Sequence, residues 1–170
     1  SQEDALPHLL GNELKAAFTP QALQAAYPQL DYKAKNIGTG ALGAAFAVEA
    51  MKRNLIRTVG FSLGGLDTHN QNYKQHAHTQ QELFGTIATL VKLLDQTPHP
   101  TMHGKLADRT HILVVSDFCR TPQINLAGGR DHYPNNSALV ISPRFKRARV
   151  FGKTDAEQLL PAGDKPLSPA

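Results

Sequence analysis

Tryptophan is absent from this sequence, cysteine occurs once and methionine twice. The lone Cys119 excludes an internal disulfide framework and any zinc module built from several cysteines. Long apolar runs are missing as well. No stretch approaches the roughly 18–20 residues that a membrane span requires, and the first residues carry no basic-then-apolar export pattern. Charge of one sign is in short supply: 18 Lys and Arg against 14 Asp and Glu leave a net +4. A nucleic-acid binder gathers its basic residues on one readable element. Here only Arg144, Lys146, Arg147 and Arg149 cluster, a pattern more typical of solvated loop charge, so nucleic acid is not an expected partner. What is present is the profile of a globular protein with a core, 41% apolar and 19% charged over 170 residues, the length of one ordinary domain. Eight histidines are many for such a chain, and their positions matter more than their number.

Hydrophobic spacing supplies the elements. Between Leu9 and Tyr27 an Ala- and Leu-rich stretch carries Pro20 after Thr19, which predicts two short helices, the second capped by Thr19. Leu42, Ala45, Phe46, Ala50 and Met51 recur at helical spacing over residues 40–54, a helix expected to pack on a sheet. Thr58 to Leu63 is a short apolar run ended by Gly64-Gly65, as a buried strand leaving its sheet would be. Leu83, Phe84, Ile87, Leu90, Val91 and Leu94 predict an amphipathic helix over 79–96, ended by Pro98 and Pro100. His111 to Val115 and Ser137 to Ile141 read as strands on either side of a long aperiodic segment, 118–136. Strand, helix, strand, loop, strand is the order of an α/β domain with a mostly parallel sheet flanked by helices. In such sheets, ligands sit beyond the carboxyl ends of the strands. That rule selects the loops 64–78 and 117–136.

Both loops are rich in Asp and His. The first reads Gly64-Gly65-Leu66-Asp67-Thr68-His69-Asn70, in which an Asp and a His two positions apart can direct a carboxylate and an imidazole to one ion. The plainer reading makes Asp67 a loop carboxylate capping the next helix. The second contains Ser116-Asp117-Phe118-Cys119-Arg120-Thr121-Pro122 and Gly129-Arg130-Asp131-His132-Tyr133-Pro134. Asp117 stands at a strand end, Asp131 and His132 offer a second carboxylate and imidazole, and Arg120 and Arg130 can hold an anion or pair with a nearby Asp. Two loops separated by a whole helix that each bring an Asp and a His to one edge point to a divalent metal, with zinc foremost and manganese, iron or calcium as alternatives. His76 and His78, two apart near a helix start, are expected on the surface.

Those three segments, taken in order, resemble the signatures of the bacterial domain-of-unknown-function family 1501, grouped with the alkaline phosphatase and sulfatase superfamily. The resemblance runs from about Gly38 to Leu160 and includes the Val150-Phe151-Gly152-Lys153-Thr154-Asp155 stretch. It implies an alkaline-phosphatase-like core over 38–160 behind a helical lead-in, 1–37, within one partial domain of residues 1–170. It further implies that Asp67, His69 and His132 bind one metal and Asp117 a second, with Asp131 orienting or joining them and Arg120 or Arg130 on the substrate anion. The family usually has Glu where Asp117 stands and Gly where Cys119 stands; the shorter acid reaches about one methylene less far. The superfamily takes its Ser or Thr nucleophile from an N-terminal segment that has no counterpart before Gly38, so the chain is expected to be a C-terminal portion of a larger fold.

The expected function is a metal-dependent hydrolase-type domain acting on a small phosphate or sulfate ester. Its location, by the resemblance, is periplasmic or secreted. A catalytically inactive relative serving as a binding or assembly module is the alternative, favoured by the missing nucleophile.

Overall fold

The computed structural model describes residues 11–155 and 161–162. The chain divides into two compact units, Ser1–Leu66 with Ala77–Asp108, and Asp67–His76 with Arg109–Ala170. Helix α1 covers residues 11–17, α2 Pro20–Ala26, α3 Gly40–Lys52 and α4 Asn72–Gln96, and a 3-10 turn follows at Leu106–Asp108. The strands are short: β1 Ile112–Val115, β2 Cys119–Arg120, β3 His132–Tyr133, β4 Ala138–Ile141, β5 Lys153–Thr154 and β6 Pro161–Ala162.

The first unit is helical. Thr19 caps α2, its Oγ1 accepting from the Ala22 N–H at 3.2 Å, while Pro20 occupies the first turn, where a missing N–H costs nothing. The two helices expected up to Tyr27 are therefore both present, with Leu9 and Leu10 outside the described residues. In α3, Ala41, Ala44, Ala45 and Val48 form the buried stripe, and their small size lets α2 pack closely on it. The stripe is rotated from the expected one: Phe46 faces outward and leans on Phe18, ring centroids 5.1 Å apart. The expected sheet beneath α3 is replaced by helix, since no described residue of this unit is in a strand.

Residues 58–63 run without a ladder partner. Their apolar side chains serve α3 instead: Phe61 and Leu63 lie against Gly43 and Gly40, so closely that a Cβ at either glycine would strike them. Helix α4 starts at Asn72 rather than Thr79 and buries Leu83, Ile87, Leu90 and Leu94 as its period predicts, together with Leu93. Glu82, on another face, accepts from the N–H groups of Lys35 and Asn36 at 3.2 and 2.9 Å. One charge is buried among the described residues of this unit. Glu49, only 4% exposed, accepts from Tyr27 Oη at 2.6 Å and from Arg53 Nε, with Lys52 Nζ 3.7 Å away. Burial raises the Glu49 pKa, but the hydrogen bonds from Tyr27 and Arg53 and the two cations outweigh it, leaving the carboxyl below its usual value. The same burial and the Glu49 charge push Tyr27 well up.

The second unit holds the strands, and here the expectation of a mostly parallel sheet requires correction. The described ladders are all antiparallel: β1 with β4, Ile112 opposite Ile141 and Val115 opposite Ala138; β2 with β3; and β5 with β6. The physical reason lies between β1 and β4. Parallel neighbours need a crossover, usually helical, whereas residues 116–137 contain no helix and return the chain in the opposite sense. Mixed α/β content stands. The strands are also open: Leu113 and Val115 are 64% and 59% exposed.

Candidate metal centre

Exposure alternates along Asp67-Thr68-His69, whose first and third side chains are open to solvent, 77% and 45% exposed. Thr68 turns inward, 2% exposed, where its Oγ1 accepts from the side-chain amide of buried Asn72 and its carbonyl accepts from Arg130 N–H at 3.0 Å. Asp67 and His69 are thereby turned together to the open side. This is why the two ligand types stand two residues apart.

The other half of the site comes from the long loop. Its stems form the β2–β3 ladder, which sets Arg120 directly opposite His132. Between them the chain curls back through Asn125, whose N–H donates to Gly129 O at 2.8 Å and whose side-chain oxygen accepts from the N–H of Ala127 and of Gly129. The Asn125 amide also reaches across, donating to His69 O at 3.1 Å and to Asp131 Oδ1 at 3.0 Å. At Gly129 the two segments touch: a Cβ there would overlap the carbonyl of His69 and the nitrogen of Asn70. Gly128, at φ +71, is held by the Asn72 N–H donating to its carbonyl at 3.0 Å.

These contacts bring three ligand atoms together. Asp67 Oδ1 lies 3.1 Å from His69 Nε2 and 3.9 Å from His132 Nε2, and the two imidazole nitrogens are 3.1 Å apart. Four ligands placed tetrahedrally at about 2.0–2.1 Å from zinc are roughly 3.3 Å from one another. The triangle brackets that value, so the three donor atoms are spaced as ligands of one divalent ion would be.

Behind the triangle stands its support. His69 Nδ1 lies 3.0 Å from Asp131 Oδ1, and because an ionised carboxylate can only accept, a neutral His69 that makes this bond carries its proton on Nδ1 and turns the Nε2 lone pair to the cluster. That is the carboxylate–histidine arrangement that orients a metal-binding imidazole. The bond from His69, joined by that from Asn125, holds the Asp131 pKa below the usual carboxylate range. The bond from Arg120 does the same for Asp67. Phe118 packs its ring on His132, centroids 4.0 Å apart, and its face carries the Arg120 guanidinium at 5.6 Å.

Of the residues expected in the site, Asp67, His69 and His132 converge, and Asp131 stands behind His69. Asp117 does not join them. Its Oδ1 accepts from the next N–H, Phe118, at 3.0 Å, and no group of three ligand atoms among the described residues includes it. Arg120 faces the cluster, with Nη2 on Asp67 and Nη1 on His69. Arg130 turns away, its Nη1 donating to the carbonyls of Thr121 and Pro122, so it braces the loop.

Sequence reasoning missed three contributors and misplaced His76, which it expected on the surface. Asn125 fastens both loops, yet nothing distinguishes it in an aperiodic segment. Phe118 forms a wall that spacing alone does not reveal. Asn72 and His76, one helical turn apart on α4, share a face; recognising that the helix starts at Asn72 would have found them. His76 is half-buried, its pKa lowered first by that burial and then by the charges of Arg120 and Arg130, while His78 is exposed as expected.

An open cleft lined by Thr121, Pro122, Ile124 and Tyr133 has Asn125 and Asp131 in its wall, beside the cluster. The pattern that defines the family described as protein of unknown function (DUF1501) matches residues 11–165. No curated protein and no solved structure matches the chain.

Proposed function

The chain belongs to the DUF1501 family, and from that premise we propose that it carries a single divalent metal centre, most simply zinc, in a hydrolase-type domain acting on a small phosphate or sulfate ester. The observation that carries this reading is the triangle of lone-pair atoms from Asp67, His69 and His132, of the size that zinc bonds require, on the open side of its loops. The kinship with alkaline phosphatases and sulfatases and an exported location belong to the same proposal. A second ion at Asp117 does not.

An ion held there would supply Lewis acidity to a phosphoryl or sulfuryl oxygen. The chain's own residues do the rest. Asp131 keeps the His69 Nδ1 proton in place and Nε2 directed at the ion. Phe118 fixes the plane of His132. Arg120, on the same side as the ligands, offers a planar pair of donors suited to a tetrahedral oxyanion. The cleft beside Asp131, walled by Tyr133, Pro122 and Ile124, accommodates the organic part of the ester.

Metal analysis of purified protein checks the centre. Wild type should retain about one zinc per chain after dialysis, and a folded Asp67→Ala/His69→Ala protein none; equal retention by both would refute the centre. Hydrolysis of p-nitrophenyl phosphate and sulfate then tests the reaction. The reading as a metal-bearing binding module is favoured by one observation: the hydroxyls flanking the cluster are engaged. Thr68 Oγ1 is buried on Asn72, and Thr121 Oγ1 donates to Gln123 O at 2.9 Å while accepting from the Asp131 N–H. Bound metal without turnover would select it.

A further inference from the structure

Two of the three candidate ligand atoms are held by one side chain. Arg120 donates through Nη2 to Asp67 Oδ1 and through Nη1 to His69 Nε2 at 3.2 Å. Its own position is fixed: the side chain is 12% exposed against 77% for Asp67, Nη1 also donates to Arg130 O at 3.1 Å, and the ladder places it opposite His132. The two acceptors it joins differ in capacity. A carboxylate has about four lone-pair sites, so Asp67 can serve a guanidinium and an ion together. A neutral imidazole with its proton on Nδ1 has one in-plane lone pair on Nε2, and that pair accepts an N–H or binds a cation, never both.

Without a cation, Asp67 Oδ1 and His69 Nε2 would be two electron-rich atoms 3.1 Å apart with nothing between them to offset the repulsion. The guanidinium supplies that positive charge. We propose that Arg120 is a displaceable place-holder for the metal: an ion binding at His69 Nε2 must break the Arg120 Nη1 bond, and the released donors, still tethered by Arg130 O and the Phe118 ring, then face the ion. The inference rests on the metal reading above and adds its regulation. Cation and oxyanion bind cooperatively, because the first frees the group that holds the second. By linkage, the anion must raise affinity for the cation by the same factor.

Calorimetric titration of the metal-free chain with zinc, in chloride and in sulfate at matched ionic strength, tests this. Ordinary coupling between sites is about 5- to 150-fold. Wild type should bind zinc at least about fivefold more tightly in sulfate. Arg120→Gln, its fold checked by circular dichroism, should bind zinc more tightly than wild type in chloride, since a competitor and a like charge are gone, and should lose the sulfate effect. If that variant fails to fold, Arg120→Lys, which keeps the charge but cannot span both acceptors, should show the same two changes in smaller measure. Zinc binding by wild type together with unchanged or weaker binding by the folded variant overturns the place-holder and leaves the metal centre standing. Absence of zinc binding in wild type overturns both.

Discussion

The two units keep their shape by different means. Every buried apolar side chain among the described residues, from Leu23 through the α3 alanines to Leu94 and Leu106, lies in the helical unit. In the other unit the buried side chains among the described residues are polar, those of Thr68 and Asn72, and the loops carrying the candidate ligands are fastened by side-chain and backbone hydrogen bonds centred on Asn125, Arg130 and Thr121. Apolar burial contributes about 25 cal/mol per Å² and needs no particular direction. A hydrogen bond contributes a net of roughly 0.5–1.5 kcal/mol, but only in one geometry. The first unit therefore holds a fold, and the second holds positions. The price is low local stability, the usual property of segments that bind ligands.

That contrast can be broken most sharply at Gly129. Gly129→Ala, which drives a methyl group into the His69 backbone, should abolish zinc binding while the helical circular dichroism signal is unchanged; retained zinc would mean that the loops are not held as described. The converse change is Glu49→Ala, which leaves the buried Tyr27 hydroxyl without its acceptor and should lower stability by about 1–3 kcal/mol, read by urea unfolding, with zinc affinity of the folded protein preserved. Glu49 also sets a pH dependence. Because its folded pKa is lowered, its stabilisation is complete above the ordinary Glu value of about 4.3 and is lost as pH falls through the folded value. The variant should show a flatter acid limb than wild type. A smaller, sharpening effect is expected from Asp131→Ala, which should weaken zinc about 10- to 100-fold through loss of the His69 partner, without loss of helix. No change in the zinc isotherm would remove Asp131 from its orienting role.

Much of this was legible in the chain. The period of α4 and the Thr19-Pro20 start of α2 follow from side-chain spacing. The two Asp- and His-bearing loops do meet, but through the hydrogen bonds of Asn125 and Arg130 and not at the parallel-sheet edge that the sequence predicts. Strand direction was not. Ile112-Leu113-Val114-Val115 is apolar on both faces, the mark of a strand covered on two sides, yet it pairs antiparallel with β4 and leaves Leu113 and Val115 open. A run of alternating residues specifies a strand, and its partner is chosen by connections that periodicity does not encode. The β2–β3 ladder was invisible for a simpler reason: two residues have no period. Asn125 and Gly129 act through backbone contacts to a segment more than fifty positions away, which no local pattern records. The apolar run 58–63 was misjudged because its side chains match a strand, while the glycines of α3 offered them a helix face instead.

The brevity of that ladder bears on whether evolution or a protein engineer can lengthen the chain there. Extra residues near Leu126, although it projects fully into solvent, would open the Asn125–Gly129 turn that fastens both loops. A single residue inserted between Asp131 and His132 would move the imidazole to the far side of the ribbon, since neighbouring strand positions point in opposite directions. Length should therefore stay constant at the tip of this loop as well as at its roots.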